Sequence, residues 1–338
     1  MLPHPGGVDI TRVDPADAEP GGAVAGVVAV RNAVDATDAP WLLPKTLRSV
    51  TADLTWGWDG EPDTAFLGTV DGEPVAVGTV STSEHDNLHL AWLGVKVHPA
   101  HRRRSLGSQL LEEMVAEARR LGRTTFGSDA WDSDAFAAFA KTHGFEPASR
   151  AVNRRQVLAD VDLDDLRRRH DAALPAARDY ELVRRPGRTP DDELEAVAEM
   201  AAAINDAPTD DLDIEDEVFS ADRIRGYEHA QEARGASLYR VFARHRDTGA
   251  LAGHTVVAVD GEVPTHAEQH DTSVVAAHRG HRLGLLLKAD MVLWLREAEP
   301  QLERIDTWNA ESNDQMIGVN ELMGYRVLGR EIEYQRKD

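Results

Sequence analysis

"HRGHRLGLLLKADM", residues 278–291, sets two histidines, two arginines and two glycines directly before an apolar, helix-like run, in a chain with 37 Lys and Arg against 59 Asp and Glu. Residues 101–114, "HRRRSLGSQLLEEM", repeat the plan: a basic cluster, a Leu-Gly pair, then an amphipathic run. The two clusters align through Gly107 and Gly284, 177 residues apart. A second pair of stretches, "FAKTHGFEP" (139–147) and "VNELMGYRV" (319–327), aligns through Gly144 and Gly324 at a separation of 180. Two anchors at nearly one offset indicate an internal duplication.

The coarse pattern of elements agrees. "TAFLGTVDGEPVAVGTVST" (64–82) has short apolar runs on either side of Asp71-Gly72, a hairpin signal, and "YRVFARHRDTGALAGHTVVAV" (239–259) repeats it around "DTG". Each hairpin leads to a further strand, at 88–97 and about 267–275, then to the basic loop and a helix. In the second helix Leu283, Leu287, Met291, Trp294 and Leu295 recur at spacings of three and four, the apolar face of a helix that packs on a sheet. The charged stretch 160–179 reads as a helical linker ending near Pro175. The expected domains are therefore 1–159 and 178–338, joined by a linker at 160–177.

A length of 338 residues accommodates two such domains. The net charge of −22 disfavours nucleic acid, whose binding needs a basic surface to displace counterions. With no cysteine, disulfides, thiolate metal sites and cysteine-bound acyl intermediates are excluded, and no metal site is expected. The first residues, "MLPHPGGVDITRVDP", lack a charged segment followed by an apolar one, and no run of about 18 apolar residues occurs anywhere. A cytoplasmic protein with no membrane partner, monomeric or homodimeric, is the expectation.

A strand that enters a glycine-containing basic loop and then opens a helix points unpaired backbone N–H groups at one spot, favourable for phosphate. Gly280 and Gly284 permit close backbone approach, and Arg279 and Arg282 supply forked donors. The loop thus reads as a pyrophosphate cradle. It is neither a Walker loop nor a Rossmann loop, because the Gly-Lys-Ser/Thr string and the three spaced glycines are both missing.

In these features the sequence resembles the GNAT superfamily of acyl-CoA-dependent N-acyltransferases, whose signature loop reads Arg/Gln-x-x-Gly-x-Gly/Ala. "RGHRLG" (279–284) matches at Arg279 and Gly284, with Arg282 where the first glycine is usual; "RRRSLG" (102–107) matches at Arg102 and Gly107, with Ser105 there. A later signature, an Asn followed about eleven residues on by Gly and an aromatic, is matched by Asn313, Gly324 and Tyr325. The resemblance covers most of each half, and a tandem pair is similar to the architecture of mycothiol-synthase-like proteins. It implies an α/β fold, two tandem domains each with a mixed, mostly antiparallel sheet flanked by helices. It implies acetyl-CoA, or another acyl-CoA, as co-substrate and a small-molecule amine as acceptor.

Carried over residue by residue, the resemblance implies cofactor contacts from Val274, Val275, Ala276, Arg279, Gly280, His281, Arg282, Leu283, Gly284 and Asn313. A second, weaker site would use Val95, Val97, Arg102, Arg103, Arg104, Ser105, Gly107 and Ser108. Some members use a glutamate eleven residues before the loop arginine as base. That position is Glu268 in the second half and Ala91 in the first, and Ser133 stands where the second half has Asn313. Both differences favour the C-terminal domain as catalytic and the N-terminal one as degenerate. His270 and Asp271 are substitutes for Glu268; strand alternation puts His270 on the face of Glu268 and Asp271 on the other. The position of the family's general acid, usually Tyr, holds Asn320 here and Ala140 in the first half, with Tyr325 nearby as an alternative or as core. A thiolate leaves readily enough that a dedicated acid is dispensable.

Direct attack of the amine in a ternary complex is the expected mechanism. "NDAPTDDLDIEDE" (205–217) carries seven acids and no base, which fits either attraction of a cationic amine, such as an aminoglycoside, polyamine or amino sugar, or a solvated loop. Trp41, Trp56 and Trp58 occupy the same place in the first half, as packing. The rivals to an acetyltransferase are a non-catalytic acyl-CoA-binding regulatory or structural protein and transfer of a longer acyl group.

Overall fold

The computed structural model describes residues 8–338, over which the chain runs twice through one order of elements. Residues 1–7, on which part of the N-terminal reading rests, lie outside the described residues. The first pass comprises β1 (Asp9–Arg12), α1 (Ala23–Asp38), α2 (Leu47–Trp56), β2 (Thr64–Val70), β3 (Glu73–Ser81), β4 (Leu90–Val97), α3 (Leu106–Arg120), β5 (Thr125–Trp131), α4 (Asp134–Thr142) and β6 (Glu146–Val157). After α5 (Leu163–Ala173) the second comprises β7 (Tyr180–Pro186), α6 (Leu194–Ala201), α7 (Ala221–Arg234), β8 (Ser237–His245), β9 (Leu251–Val259), β10 (His266–Val274), α8 (Leu283–Ala298), β11 (Arg304–Ala310), α9 (Asp314–Leu322) and β12 (Arg326–Lys337).

Local chemistry accounts for these elements. Asp71 and Gly72 both take positive φ, 52° and 84°, which matches a tight hairpin to the twist of β2 and β3. Thr46 and Ser49 form a reciprocal capping box at α2, and Ser220 caps α7, which ends at Gly235 with φ 86°.

In the first half β1, β2, β3 and β4 pair antiparallel in that order, and β4 pairs parallel with β5 only from Leu90↔Thr125 to Trp92↔Gly127. In the second half β7 to β10 repeat the antiparallel order, and β10 pairs parallel with β11 only from His266↔Arg304 to Gln269↔Thr307. Each half therefore has a strand that parts from its parallel neighbour partway along. The mixed sheets flanked by helices are those expected.

The domain boundaries differ from the expected ones. One unit contains the chain through Ser149 with Asp211–Asp216 and Glu331–Asp338; the other contains Arg150–Asp210 and Glu217–Arg330. Within the first unit, residues 331–337 of β12 pair with β5; within the second, residues 151–157 of β6 pair with β11. Each unit is thus completed by a strand from the sequence of the other half. Hydrophobic alternation marks a strand but carries no label for its partner, so the exchange is invisible to sequence patterning.

The expected linker at 160–177 is likewise part of the second unit. Leu166 and Ala173 of α5 lie in one core with Leu283, Leu287, Met291 and Leu295 of α8. Trp294 is half-buried, edge-on to Tyr239. Leu286 and Val292 are buried as well, since α8 meets both the sheet and α5. Each fully buried leucine stabilises the unit by about 1.5–3 kcal/mol relative to exposure.

Candidate functional site

In the second unit a cavity of about 990 Å³ opens where β10 leaves β11. Its walls come from residues 270–274 of β10, from the loop and first turns of α8 (278–280, 282–285 and 288), from residues 307–310 and 312–316 around the end of β11 and the start of α9, and from residues 203, 204 and 206–208 after α6.

A β-bulge in β10 determines which side chains enter it. Gln269 pairs with Val257 and Thr272 with Thr255, so His270 and Asp271 together oppose the single residue Val256. Glu268, before the bulge, has a side chain 61% exposed and lies outside the cavity lining. The residue expected as the base therefore stands outside the cavity lining. His270 and Asp271 both line the cavity. The His270 ring is 7% exposed, with Nδ1 2.6 Å from the Tyr227 hydroxyl and Nε2 3.8 Å from Glu268 Oε2. Burial keeps the Tyr227 phenol neutral and able to donate. Asp271 is different: loss of solvent raises its carboxyl above the usual range, and His270 and Arg240 oppose this only in part.

In the basic loop the side chains divide their labour differently from the expectation. Arg279 donates through Nε to the Val274 carbonyl at 3.1 Å and through its terminal nitrogen to Asp206. Arg102 of the first unit does the same, with Nε 3.1 Å from the Val97 carbonyl and both terminal nitrogens on Asp38 at 3.0 and 2.6 Å. The signature arginines are therefore clasps that fix loop to strand, and the fork of Arg279 is occupied by a carboxylate. Arg282 forms no ion pair among the described residues. It takes φ 57°, and Ser105 takes φ 62°, so both keep the left-handed conformation of the glycine they replace. This costs about 1–2 kcal/mol at each position. Arg282 is the N-cap of α8 and gives no side-chain cap, so the amides of the first turn stay exposed to a ligand.

Of the other expected contacts, Val274, Gly280, Leu283, Gly284 and Asn313 line the cavity, whereas Val275, Ala276 and His281 do not. The Val275 amide is used by the Ala252 carbonyl, and His281 Nδ1 lies 3.0 Å from the Ala176 carbonyl. A Cβ placed on Gly284 would meet nothing within 4 Å. Asn313 Oδ1 caps α9 through the Met316 amide at 3.1 Å, which leaves its NH2 group available.

The corresponding glycine of the first unit faces side chains instead of open space. A Cβ on Gly107 would lie 3.4 Å from Phe139 and 3.6 Å from Val95. Phe139 lies tilted against His143, with ring centroids 4.6 Å apart, and His143 Nε2 is 2.9 Å from Ser108 Oγ. Val95, Val97, Phe136 and Phe139 all pack on the core of that unit. At the weaker second site expected at Val95, Val97, Arg102, Arg103, Arg104, Ser105, Gly107 and Ser108, Arg103, Arg104 and Ser105 are exposed, while Gly107 faces Phe139 and Val95 rather than open space.

Sequence reasoning overlooked one cavity residue. Lys288 projects from α8 one turn beyond Gly284 and is 2% exposed, its Nζ donating to Asn320 Oδ1 at 2.6 Å. Asn320 donates in turn to Asn309 Oδ1 at 2.6 Å, and Lys288 Nζ sits 4.7 Å from the centre of the Tyr325 ring. Burial pushes the ammonium down to about 7. Asn320 and Tyr325, expected beside the leaving group, lie behind this lysine rather than on the lining. The Tyr325 hydroxyl is buried with no hydrogen-bond partner among the described residues. The available signal was a lysine inside "LLLKADM", on the glycine side of the helix.

Residues 31–145 match the model of the acetyltransferase (GNAT) family. Nearly the whole chain, 98% of it, superposes on 98% of a tandem GNAT protein from the clavulanic acid biosynthesis pathway, solved without AcCoA, at 26% identity and a TM-score of 0.77. The chain thus carries a GNAT-family domain and shares a tandem GNAT architecture. Similar folds are those of a GCN5-related N-acetyltransferase from Sphaerobacter thermophilus, with 17% identity over 97% of this chain and 95% of that one and a TM-score of 0.63, and a putative acetyltransferase from Pyrococcus horikoshii, with 16% identity, 100% and 92% coverage and a TM-score of 0.58. No curated protein sequence matches. The family match supports acyltransferase activity, and it falls in the half whose loop glycine faces Phe139. No helix among the described residues is long and apolar enough to cross a membrane, and no group of metal-binding side chains occurs among them.

Proposed function

We propose that this protein transfers an acetyl group from acetyl-CoA to the primary amine of a small metabolite, by direct attack in a ternary complex, and that the second unit does the chemistry. The observation that carries this is the contrast between the two cradles: the space over Gly284 opens into a cavity containing Asp271, whereas that over Gly107 holds Phe139. The exposed amides at the start of α8, with Arg282 and Asn313, suit the pyrophosphate. The edge of β10 beyond Gln269, which β11 leaves unpaired, suits an extended amide-bearing arm. Asp271, with its carboxyl raised toward neutrality, accepts the proton of the attacking amine. With no cysteine in the chain, no cysteine-bound acyl intermediate intervenes.

The acidic stretch 205–217 gives little support to a further positive charge on the acceptor. Asp206 alone of its seven acids lines the cavity, and it is clasped to Arg279. Asp213 pairs with Lys337 and Glu217 with Arg223. Free thiol release from acetyl-CoA, measured over a panel including an aminoglycoside, a polyamine and an amino sugar, tests the reading. Amine-dependent release is expected; stronger turnover with a longer acyl-CoA would shift the donor, and no release with any amine would contradict the proposal.

A further inference from the structure

Resting on that acyl-transfer reading, we propose that Lys288 is the proton donor to the thiolate that leaves acetyl-CoA, held for the purpose by Asn320. The geometry is that of a buried cation kept available. Lys288 lines the cavity from the same helix whose first turn forms the cradle. Its ammonium has three N–H groups, and the described protein offers one hydrogen-bond acceptor, Asn320 Oδ1, and one ring face, Tyr325. No carboxylate among the described residues pairs with it, and burial alone lowers its pKa. The remaining N–H is left for an anion arriving in the cavity.

Asn320 is fixed in the orientation this requires. Its amide nitrogen donates to Asn309 Oδ1, which leaves only its oxygen for Lys288. An asparagine has no acidic proton of its own, so at the position where a leaving-group acid is expected it serves as the holder of one. An unpaired ammonium in a site of low polarity stabilises a developing thiolate far more than it would in water. Its pKa, lowered to about 7 against about 8.5 for an ordinary thiol, makes proton transfer to the thiolate favourable.

The amine nitrogen bonds to the thioester carbonyl carbon, the C–S bond breaks with its electron pair on sulfur, and Lys288 Nζ gives that sulfur a proton to form the free thiol. The proton lost by the amine passes to Asp271 and then to solvent, from which Lys288 is reprotonated after products leave. No oxidant or further reactant is consumed.

Replacing Lys288 with Met keeps an unbranched apolar side chain and removes the donor; Lys288→Gln keeps a hydrogen bond to Asn320 without an acidic proton, and stands in if the Met variant does not fold. Acetyl-CoA affinity by calorimetry and thiol release with the best amine are measured on the full chain. Turnover is expected to fall about 100-fold or more in both variants while the dissociation constant for acetyl-CoA stays within about threefold. Turnover close to wild type, or affinity lost in step with turnover, overturns the assignment, as does an acetyl group found by mass spectrometry on Lys288 of wild type. A wild type that releases no thiol with any amine removes the acyl-transfer reading and this one together; an active wild type with an equally active variant removes this one alone.

Discussion

Asp206 and Val274 share one guanidinium: Arg279 donates through Nε to the Val274 carbonyl and through its terminal nitrogen to the Asp206 carboxylate. The residue that marks the loop in the sequence thus shapes the cradle by tying it to the end of β10. The pair is about half exposed, so its charge attraction alone is weak, and the contribution lies in geometry. Arg279→Ala is expected to weaken acetyl-CoA binding about tenfold. Asp206→Ala should act in the same direction, and the double variant should lose less than the product of the two. Calorimetry on the four proteins checks the non-additivity.

Gly284 and Gly107 should respond oppositely to valine. At Gly284 the new side chain enters the open cavity, so Gly284→Val lowers acetyl-CoA affinity and leaves thermal stability nearly unchanged. At Gly107 it meets Phe139 and Val95, so Gly107→Val lowers stability by about 1–3 kcal/mol and spares affinity. Melting curves and titrations of the two variants separate the outcomes.

Asp271→Asn should reduce turnover by roughly 10² to 10⁴ with little change in the Michaelis constant for acetyl-CoA. Glu268→Gln should stay within about threefold of wild type, because that carboxylate lies outside the cavity. The wild-type rate should rise with pH through an ionisation above the ordinary aspartate range, a limb that Asp271→Asn removes.

Lys288 also makes stability depend on pH with a definite sign. Its folded pKa, about 7, lies below the unfolded value, so between the two the unfolded chain binds more protons and stability rises with pH. Below about 7 the full cost of burying the charge is present. The contribution has a slope of up to about 1.4 kcal/mol per pH unit. Lys288→Met should lose this slope and be at least as stable as wild type at pH 6, as read from denaturant unfolding across pH 6–9.

The duplication, the hairpins, the mixed sheets and the helix after the basic loop were legible because each rests on local pattern: the pairs Gly107/Gly284 and Gly144/Gly324 at nearly one separation, Asp71-Gly72 at a turn, apolar spacing in α8. What escaped is non-local. The pairing of residues 331–337 with β5 and of 151–157 with β11 reassigns two strands whose sequence names no partner. A bulge lies between Gln269 and Thr272, and Asp271 rather than Glu268 lines the cavity. The side chain that Gly107 faces, Phe139, lies 32 residues from it in sequence and 3.4 Å from its would-be Cβ. Lys288 was hidden by its apolar neighbours, since a lysine in a helix is ordinarily read as solvated.

The central claim is that the cradle at Gly284 is the one that binds the acyl donor. Because each unit is completed by a strand from the other half, the decisive measurement uses the full chain: isothermal titration with acetyl-CoA on wild type, Gly284→Val and Gly107→Val. The account predicts one strong site per chain, abolished by Gly284→Val and retained by Gly107→Val. Two equal sites in wild type, or a single site that survives Gly284→Val and disappears with Gly107→Val, would contradict it.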